Sequence, residues 1–240
     1  MKINLVKVSG ICAILTVASL LVPMLAILVV NIFSGGIEFP QSEEMEYWAP
    51  FVVDNRGFVL TRDWLIILAL IFETAAVVGF FYVLREAGPL TWLGLAAWLT
   101  GLQLVMFEHI VVLGANFELM PQYVAASSAV RPALDVLTST LHRTTLLAAL
   151  VGNTLILGVG VPVFAFAVLR TRRARRWIGW LGVVVAVMAW VGIGSVLPGY
   201  PPVFFAIGGV GFVGFRLWLV AMGVAWLRMD ESAGNSSGDL

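Results

Sequence analysis

Long runs of apolar residues limit how this chain can fold, because they are too long and too poor in charge for a water-soluble core. Residues 177–215, for example, include no charged side chain. In hydrocarbon, backbone N–H and C=O groups must bond within their own segment, so runs of about 20 apolar residues are typical of membrane-spanning helices. The whole chain, with 60% hydrophobic and 12% charged residues, agrees with this interpretation. The sequence therefore predicts an all-α, polytopic membrane protein.

The apolar runs predict six transmembrane helices in a single domain over residues 1–230. The expected spans cover residues 8–33, 63–84, 90–115, 132 or 137 to 169, and two more between 177 and about 228. Turn-forming residues at 198–202 separate the last two spans into a tight hairpin. The fourth run is longer than a roughly 30 Å hydrocarbon core requires, so its first turns are expected to project from the membrane.

Lysine and arginine predict the orientation, since cytoplasmic loops carry an excess of both. With a cytoplasmic amino terminus, nine basic residues lie inside and four outside. The inner set includes the run RTRRARR at 170–176. The outer set is Arg56, Arg62, Arg131 and Arg143. We therefore expect both termini to be cytoplasmic in a multi-pass protein of the cell membrane.

Two outer loops, residues 34–61 and 116–136, are expected to form a cap of short interfacial helices. Ser42, followed by two glutamates, predicts the start of one such helix. The polar tail at 231–240 is expected to be a disordered cytoplasmic segment.

Charge and cysteine content exclude several classes of function. The chain holds 14 basic and 14 acidic residues, which gives no electrostatic footprint for nucleic acid. Cys12 is the only cysteine, so a disulfide framework and a cysteine-based metal cage are excluded. The string GVGFVG at 209–214 lies inside the sixth run without a preceding strand, so its match to the dinucleotide fingerprint is spurious. Membrane lipids are the expected partners.

Two segments resemble an uncharacterised bacterial family of six-helix integral membrane proteins, a domain of unknown function. Residues 150–192, LVGNTLILGVGVPVFAFAVLRTRRARRWIGWLGVVVAVMAWVG, are similar to that family's span, basic loop, tryptophan-glycine pair and further span. Residues 105–114, VMFEHIVVLG, are similar in carrying an intramembrane glutamate. The resemblance implies a fold and a membrane location, and no activity comes with it.

Polar residues at the centre of the spans predict an intramembrane ion pair. Counted from the outer ends at 1.5 Å per residue, Glu73, Asn153 and Arg216 lie at about 16, 22 and 20 Å. A buried arginine needs an acceptor, and Glu73 is the carboxylate at that depth. The pair is expected to lock two helices together, with a substrate or proton site as the alternative.

A second group predicts a pocket open to the outside. Glu108 and His109 lie near the outer end of span three, and His142 opens span four from the same side. In span three, small residues recur every seven positions with Glu108, which should turn that glutamate toward a neighbouring helix. His142 and Asn153 share a polar face of span four. The predicted ligand-binding residues are Glu108, His109, His142 and Asn153.

Three functions remain open from the sequence. The favoured one is the binding or passage of a small or lipophilic molecule through the outer cavity. A membrane enzyme is the first alternative, with haem b held by His109 and His142, or acid/base chemistry at Glu108 and His109. The second is an accessory subunit, packed as an oligomer or in a larger membrane complex. No cofactor or metal is predicted, and a metal site with Glu108 is only an alternative to the cavity.

Overall fold

The computed structural model describes residues 4–33, 45–194 and 202–229. Within these ranges the chain is helical and contains no strand, which confirms the all-α prediction. The predicted helix start at Ser42 and the tail at 231–240 lie outside the described residues, as does the predicted turn up to residue 201.

Nine α-helices follow one another in the described residues. They are α1 Leu5–Phe33, α2 Met45–Asp54, α3 Arg56–Leu84, α4 Leu90–Gly114, α5 Met120–Ala125, α6 Arg131–Leu155, α7 Val161–Thr171, α8 Arg176–Gly194 and α9 Pro202–Leu227. π-helical turns at Ala115–Leu119 and Ile156–Gly160 join α4 to α5 and α6 to α7. Pro121 and Pro162 are the second residues after these turns, and a proline removes one backbone donor from the helical ladder.

Six helices of the described chain are long and apolar enough to cross a membrane, the number predicted from the sequence. They are Leu5–Val22, Arg56–Ala87, Leu90–Ala125, Arg131–Thr171, Arg176–Ile193 and Ala206–Leu227. The second helix begins at Arg56 instead of residue 63, and the third continues past residue 115. Both extensions carry residues into a small apolar core outside the expected spans, where Val59, Met120 and Tyr123 are buried.

The six candidate spanning helices form a closed ring. α1 packs against α3, α3 against α4, and α4 against α6 and α7. The ring continues through α7 with α8 and α8 with α9, and it closes where α9 packs against α1. We call the end of the ring that bears α2 and α5 the cap end. The opposite end, where residues 170–176 link α7 to α8, is called the arginine end.

Pairs of glycines lie where neighbouring helices of the ring cross most closely. A Cβ built on Gly101 of α4 would lie 2.5 Å from the carbonyl oxygen of Gly152 on α6. Gly10 of α1 and Gly223 of α9 are related in the same way, at 2.7 Å in each direction. A larger residue at these positions would force the backbones apart, so the glycines set the spacing of the ring.

Aromatic side chains fill the ring toward the arginine end. They are Phe80, Trp98, Phe164, Phe215, Trp218 and Trp226, all buried. The Trp98 and Trp218 rings stack with centroids 5.9 Å apart, and Phe80 meets the Trp226 ring edge-on at 5.7 Å. The two buried carboxylates of α3, Asp63 and Glu73, lie on the cap side of this aromatic core.

Candidate functional site

The buried face of α3 positions two carboxylates. Residues 59, 63, 66, 70, 73, 77, 80 and 84 follow the alternating spacing of three and four that keeps one helix face toward its neighbours. Most of these residues are apolar, and the exceptions are Asp63 and Glu73. Asp63 is 1% exposed and Glu73 is 2% exposed. The sequence spacing therefore brings both acids into the ring, at different depths.

Glu73 lies in contact with Arg216, at the place where the sequence predicts an ion pair. Arg216 donates from Nη1 to Glu73 Oε2 at 2.9 Å. The other carboxylate oxygen, Oε1, accepts a hydrogen bond from Trp98 Nε1 at 3.0 Å. Three helices, α3, α4 and α9, are thus joined by one carboxylate. We call these three residues the central triad.

Trp98 was missed in the sequence analysis, although a signal for it exists. The residue lies in the middle of its apolar run, away from the membrane boundaries where tryptophan is common. A buried indole N–H requires an acceptor, and a glutamate at similar depth on the preceding helix supplies it.

Arg216 has a donor that the triad does not use. Its Nε is buried and has no hydrogen-bond partner in the part of the chain that the structure describes. The guanidinium carbon lies 4.6 Å from the ring centroid of Phe212 and 4.8 Å from that of Phe215. The side chain is 18% exposed, so it is not sealed completely by its neighbours. The arrangement offers one hydrogen-bond donor beside two aromatic rings.

A second polar group lies nearer the cap end, around Asp63. Arg62 donates to Asp63 Oδ1 from Nε at 3.0 Å and from Nη2 at 2.8 Å. Asn116 donates from Nδ2 to Asp63 Oδ2 at 2.8 Å. Asn116 is buried in the π-helical turn between α4 and α5. We call Arg62, Asp63 and Asn116 the cap-end triad.

Sequence reasoning also missed the cap-end triad. It placed Asp63 at the boundary of a span and Asn116 in a loop, where polar residues need no partner. The available signal was the spacing of seven between His109 and Asn116, which places both on one face of a helix if that helix continues past residue 115.

The predicted pocket residues occupy different surroundings. His109 is 22% exposed, and it lies within the range of electrostatic interaction with Asp63 and Arg62. Its Nε2 lies 4.0 Å from Oε2 of Glu108. His142 is exposed on α6, and the described residues form no hydrogen bond or ion pair with its side chain. The structure therefore brings Glu108 and His109 together without joining His142 to them.

Asn153 is half-buried on α6, and its side chain forms no hydrogen bond with the described residues. No hydrogen bond therefore joins Asn153 to the central triad in the described part of the chain. In the described ranges, no three histidine, cysteine, aspartate or glutamate side chains are grouped closely enough to hold a metal ion.

An apolar layer separates the two polar groups. On α3, Leu70 lies between Asp63 and Glu73 along the buried face, and on α4, Leu102 and Val105 lie between Trp98 and His109. All three side chains are buried in the main core. The interior of the ring is therefore layered, with polar groups above and below a packed apolar section.

The chain was compared with protein-family models, with curated proteins and with solved structures, and no match was found in any of the three comparisons.

Proposed function

We propose that the protein spans a cell membrane and binds or passes a small, uncharged, lipophilic molecule at the central triad. The observation that carries the proposal is the buried Nε of Arg216, which has no acceptor within the described chain although its neighbouring Nη1 is paired. A buried donor without a partner costs about 1–3 kcal/mol. A ligand oxygen placed there removes that cost.

The charge of the triad favours an uncharged ligand. Glu73 and Arg216 form a neutral pair, so a bound anion would add a net charge to a site within the candidate spans, where charge is poorly solvated. A carbonyl or hydroxyl oxygen accepts a hydrogen bond without that penalty. The Phe212 and Phe215 rings beside the guanidinium favour an apolar body attached to this oxygen.

The ligand is proposed to reach Arg216 from the cap end. α9 runs from the cap end toward the arginine end, so Phe212 lies one turn closer to the cap than Arg216. The Phe212 side chain is 42% exposed, whereas Phe215 is buried in the aromatic core. The route follows α9 and does not pass through the predicted outer pocket, because the buried side chains of Leu70, Leu102 and Val105 separate Glu108 and His109 from the level of Arg216.

Thermal unfolding of the purified protein in detergent tests the ligand assignment. A medium-chain methyl ketone is compared with the alkane of the same carbon count, so the two probes differ in one oxygen. We expect the ketone to raise the melting temperature, since a ligand at about 100 times its Kd stabilises the folded state by roughly 2.7 kcal/mol. The alkane should have a much smaller effect.

Arg216→Lys is the matching variant, because lysine keeps the charge for Glu73 and lacks the Nε donor. It should lose the ketone-specific stabilisation, whereas Arg143→Lys, at an exposed position on α6, should retain it. Equal stabilisation by ketone and alkane would overturn the proposal, and so would an Arg216→Lys variant that responds like the unmodified protein.

The proposal includes an orientation with both termini in the cytoplasm, supported by the nine-to-four distribution of basic residues. A membrane-impermeant thiol reagent applied to whole cells should label Ser42→Cys and leave Ser232→Cys unlabelled. The native Cys12 is buried and gives little background. Labelling of Ser232→Cys alone would show the opposite orientation.

A further inference from the structure

A cleft of about 640 Å³ lies at the arginine end, between the loop after α7 and the last turns of α9. Two kinds of side chain line it. The cationic residues are Arg172, Arg173, Arg175 and Arg228. The apolar wall includes Trp177 from α8, Ala221 and Val224 from the end of α9, and Met229, two residues beyond that helix. The cleft is therefore amphipathic, with charge on one part of its lining and hydrocarbon on the other.

Most of the positive charge in this cleft is uncompensated. Arg173 pairs with Glu86 through an Nη2–Oε2 contact of 2.7 Å. Arg172, Arg175 and Arg228 have no carboxylate partner among the residues that the structure describes. At the cap end, by contrast, Arg62 is paired with Asp63 and Arg56 lies over the Phe117 ring. The arginine cleft is thus where unpaired guanidinium groups converge.

The position of the cleft fits the boundary between lipid headgroups and acyl chains. Its walls are the ends of three candidate membrane-spanning helices, α7, α8 and α9. Trp177 and Trp180 are more than half exposed at the beginning of α8, as tryptophans at a membrane interface commonly are. The positive end of the α8 dipole also lies here and favours an anion.

We propose that this cleft binds an anionic phospholipid from the surrounding membrane. Its phosphate lies among Arg172, Arg175 and Arg228, where guanidinium groups donate charge-assisted hydrogen bonds to phosphate oxygens. An acyl chain lies along the apolar wall formed by Ala221 and Val224. The wall distinguishes a lipid from free phosphate, because inorganic phosphate uses the arginines and gains nothing from buried hydrocarbon.

Native mass spectrometry of the full-length protein tests the proposal with phosphatidylglycerol and phosphatidylcholine that carry identical acyl chains. We expect the protein to retain phosphatidylglycerol in clear preference to phosphatidylcholine. In Arg175→Gln/Arg228→Gln the preference should fall roughly tenfold or more, since each arginine near an anionic lipid surface contributes about a fivefold factor. Inorganic phosphate at millimolar concentration should not displace the lipid.

Arg56→Gln/Arg143→Gln removes two arginines from the opposite end and should leave the preference unchanged. Arg175 and Arg228 are exposed, so their replacement should not change the helical circular dichroism signal, and each single variant should lose part of the preference. The proposal is overturned if both double variants behave alike, if the two lipids are retained equally by the unmodified protein, or if inorganic phosphate displaces the bound lipid.

Discussion

Asp63 and Glu73 lie on the same buried face of α3, yet the two carboxylates are paired in different ways. Asp63 accepts hydrogen bonds from Arg62, its neighbour in the chain, and from Asn116. Glu73 accepts from Trp98 and from Arg216, which is 143 residues away in the sequence. Asp63 is therefore held partly by local chain geometry, whereas Glu73 depends on the closure of the ring.

The difference extends to the partners of the two acids. Arg62 is 23% exposed and lies toward the end of the ring, so water can solvate it if its pairing with Asp63 is lost. Arg216 lies deeper, between aromatic rings, and keeps a buried donor unpaired. The cap-end triad has the character of a structural link. The central triad, in contrast, has a hydrogen-bond donor left over, the Nε of Arg216. For this reason we propose the ligand at Arg216.

The largest effect is expected from breaking the central pair. Glu73→Gln or Arg216→Gln leaves one charge buried without a partner, which should lower the free energy of unfolding by about 3 kcal/mol or more. The double variant Glu73→Gln/Arg216→Gln should lose less than the sum of the two single variants. Denaturant titration in detergent, followed by circular dichroism, measures all three.

Glu86→Gln/Arg173→Gln is the control for that experiment, because it removes an ion pair whose two side chains are exposed to solvent. Such a pair contributes about 1 kcal/mol or less. If the central double variant loses the full sum of its singles, Glu73 and Arg216 do not stabilise each other, and the comparison with Asp63 fails.

A smaller effect is expected at the cap-end triad. Asp63→Asn removes the charge that Arg62 and Asn116 contact, and we expect a loss of about 2 kcal/mol in the free energy of unfolding. The loss should stay below that of Glu73→Gln because Arg62 can be hydrated. Asp54→Asn, an identical change at an exposed position in α2, should have little effect. A larger loss at Asp63 than at Glu73 would reverse the assignment of the two triads.

The smallest effect is expected for Trp98→Phe, a variant that tests the hydrogen bond of Trp98 apart from the packing of its ring. Trp98→Phe keeps an aromatic ring and removes the N–H that donates to Glu73, with an expected loss of about 1.5 kcal/mol. Trp190→Phe removes a comparable donor to the neutral carbonyl of Gly158, at 3.1 Å, and should cost less. Similar losses in the two variants would mean that Glu73 gains no special stabilisation from the indole.

The sequence predicted those parts of the structure in which a residue type has few possible environments. Six candidate spans could be counted because apolar runs of that length have few other structures available. Glu73 and Arg216 could be proposed as partners because a charge inside such a run needs compensation and few candidates exist. Both predictions follow from the types of residue in the runs, and neither requires the exact orientation of the helices.

The predicted outer pocket shows where sequence reasoning becomes insufficient. Counting residues gives the height of Glu108, His109 and His142 along their helices but not the rotation of one helix against the next. His109 lies near Asp63, whereas His142 is exposed, although their estimated depths are similar. Two π-helical turns add to the difficulty, since each shifts the helical register at a place that the apolar pattern does not mark.

The distance in sequence between Glu73 and Arg216 also has a consequence for biosynthesis. In the proposed membrane topology, helices enter the membrane in the order of their synthesis, so Glu73 is inserted well before α9 exists. During that interval the carboxylate has no arginine beside it, and an unpaired acidic residue in the middle of a span costs about 2.5–3.5 kcal/mol. Insertion of α9 supplies Arg216 as the partner of Glu73. It also completes the packing of α1, because Gly223 of α9 lies against Gly10 of α1. The first helix therefore gains its last neighbour only when the final helix has been made, so the ring of helices cannot close while the chain is still being translated.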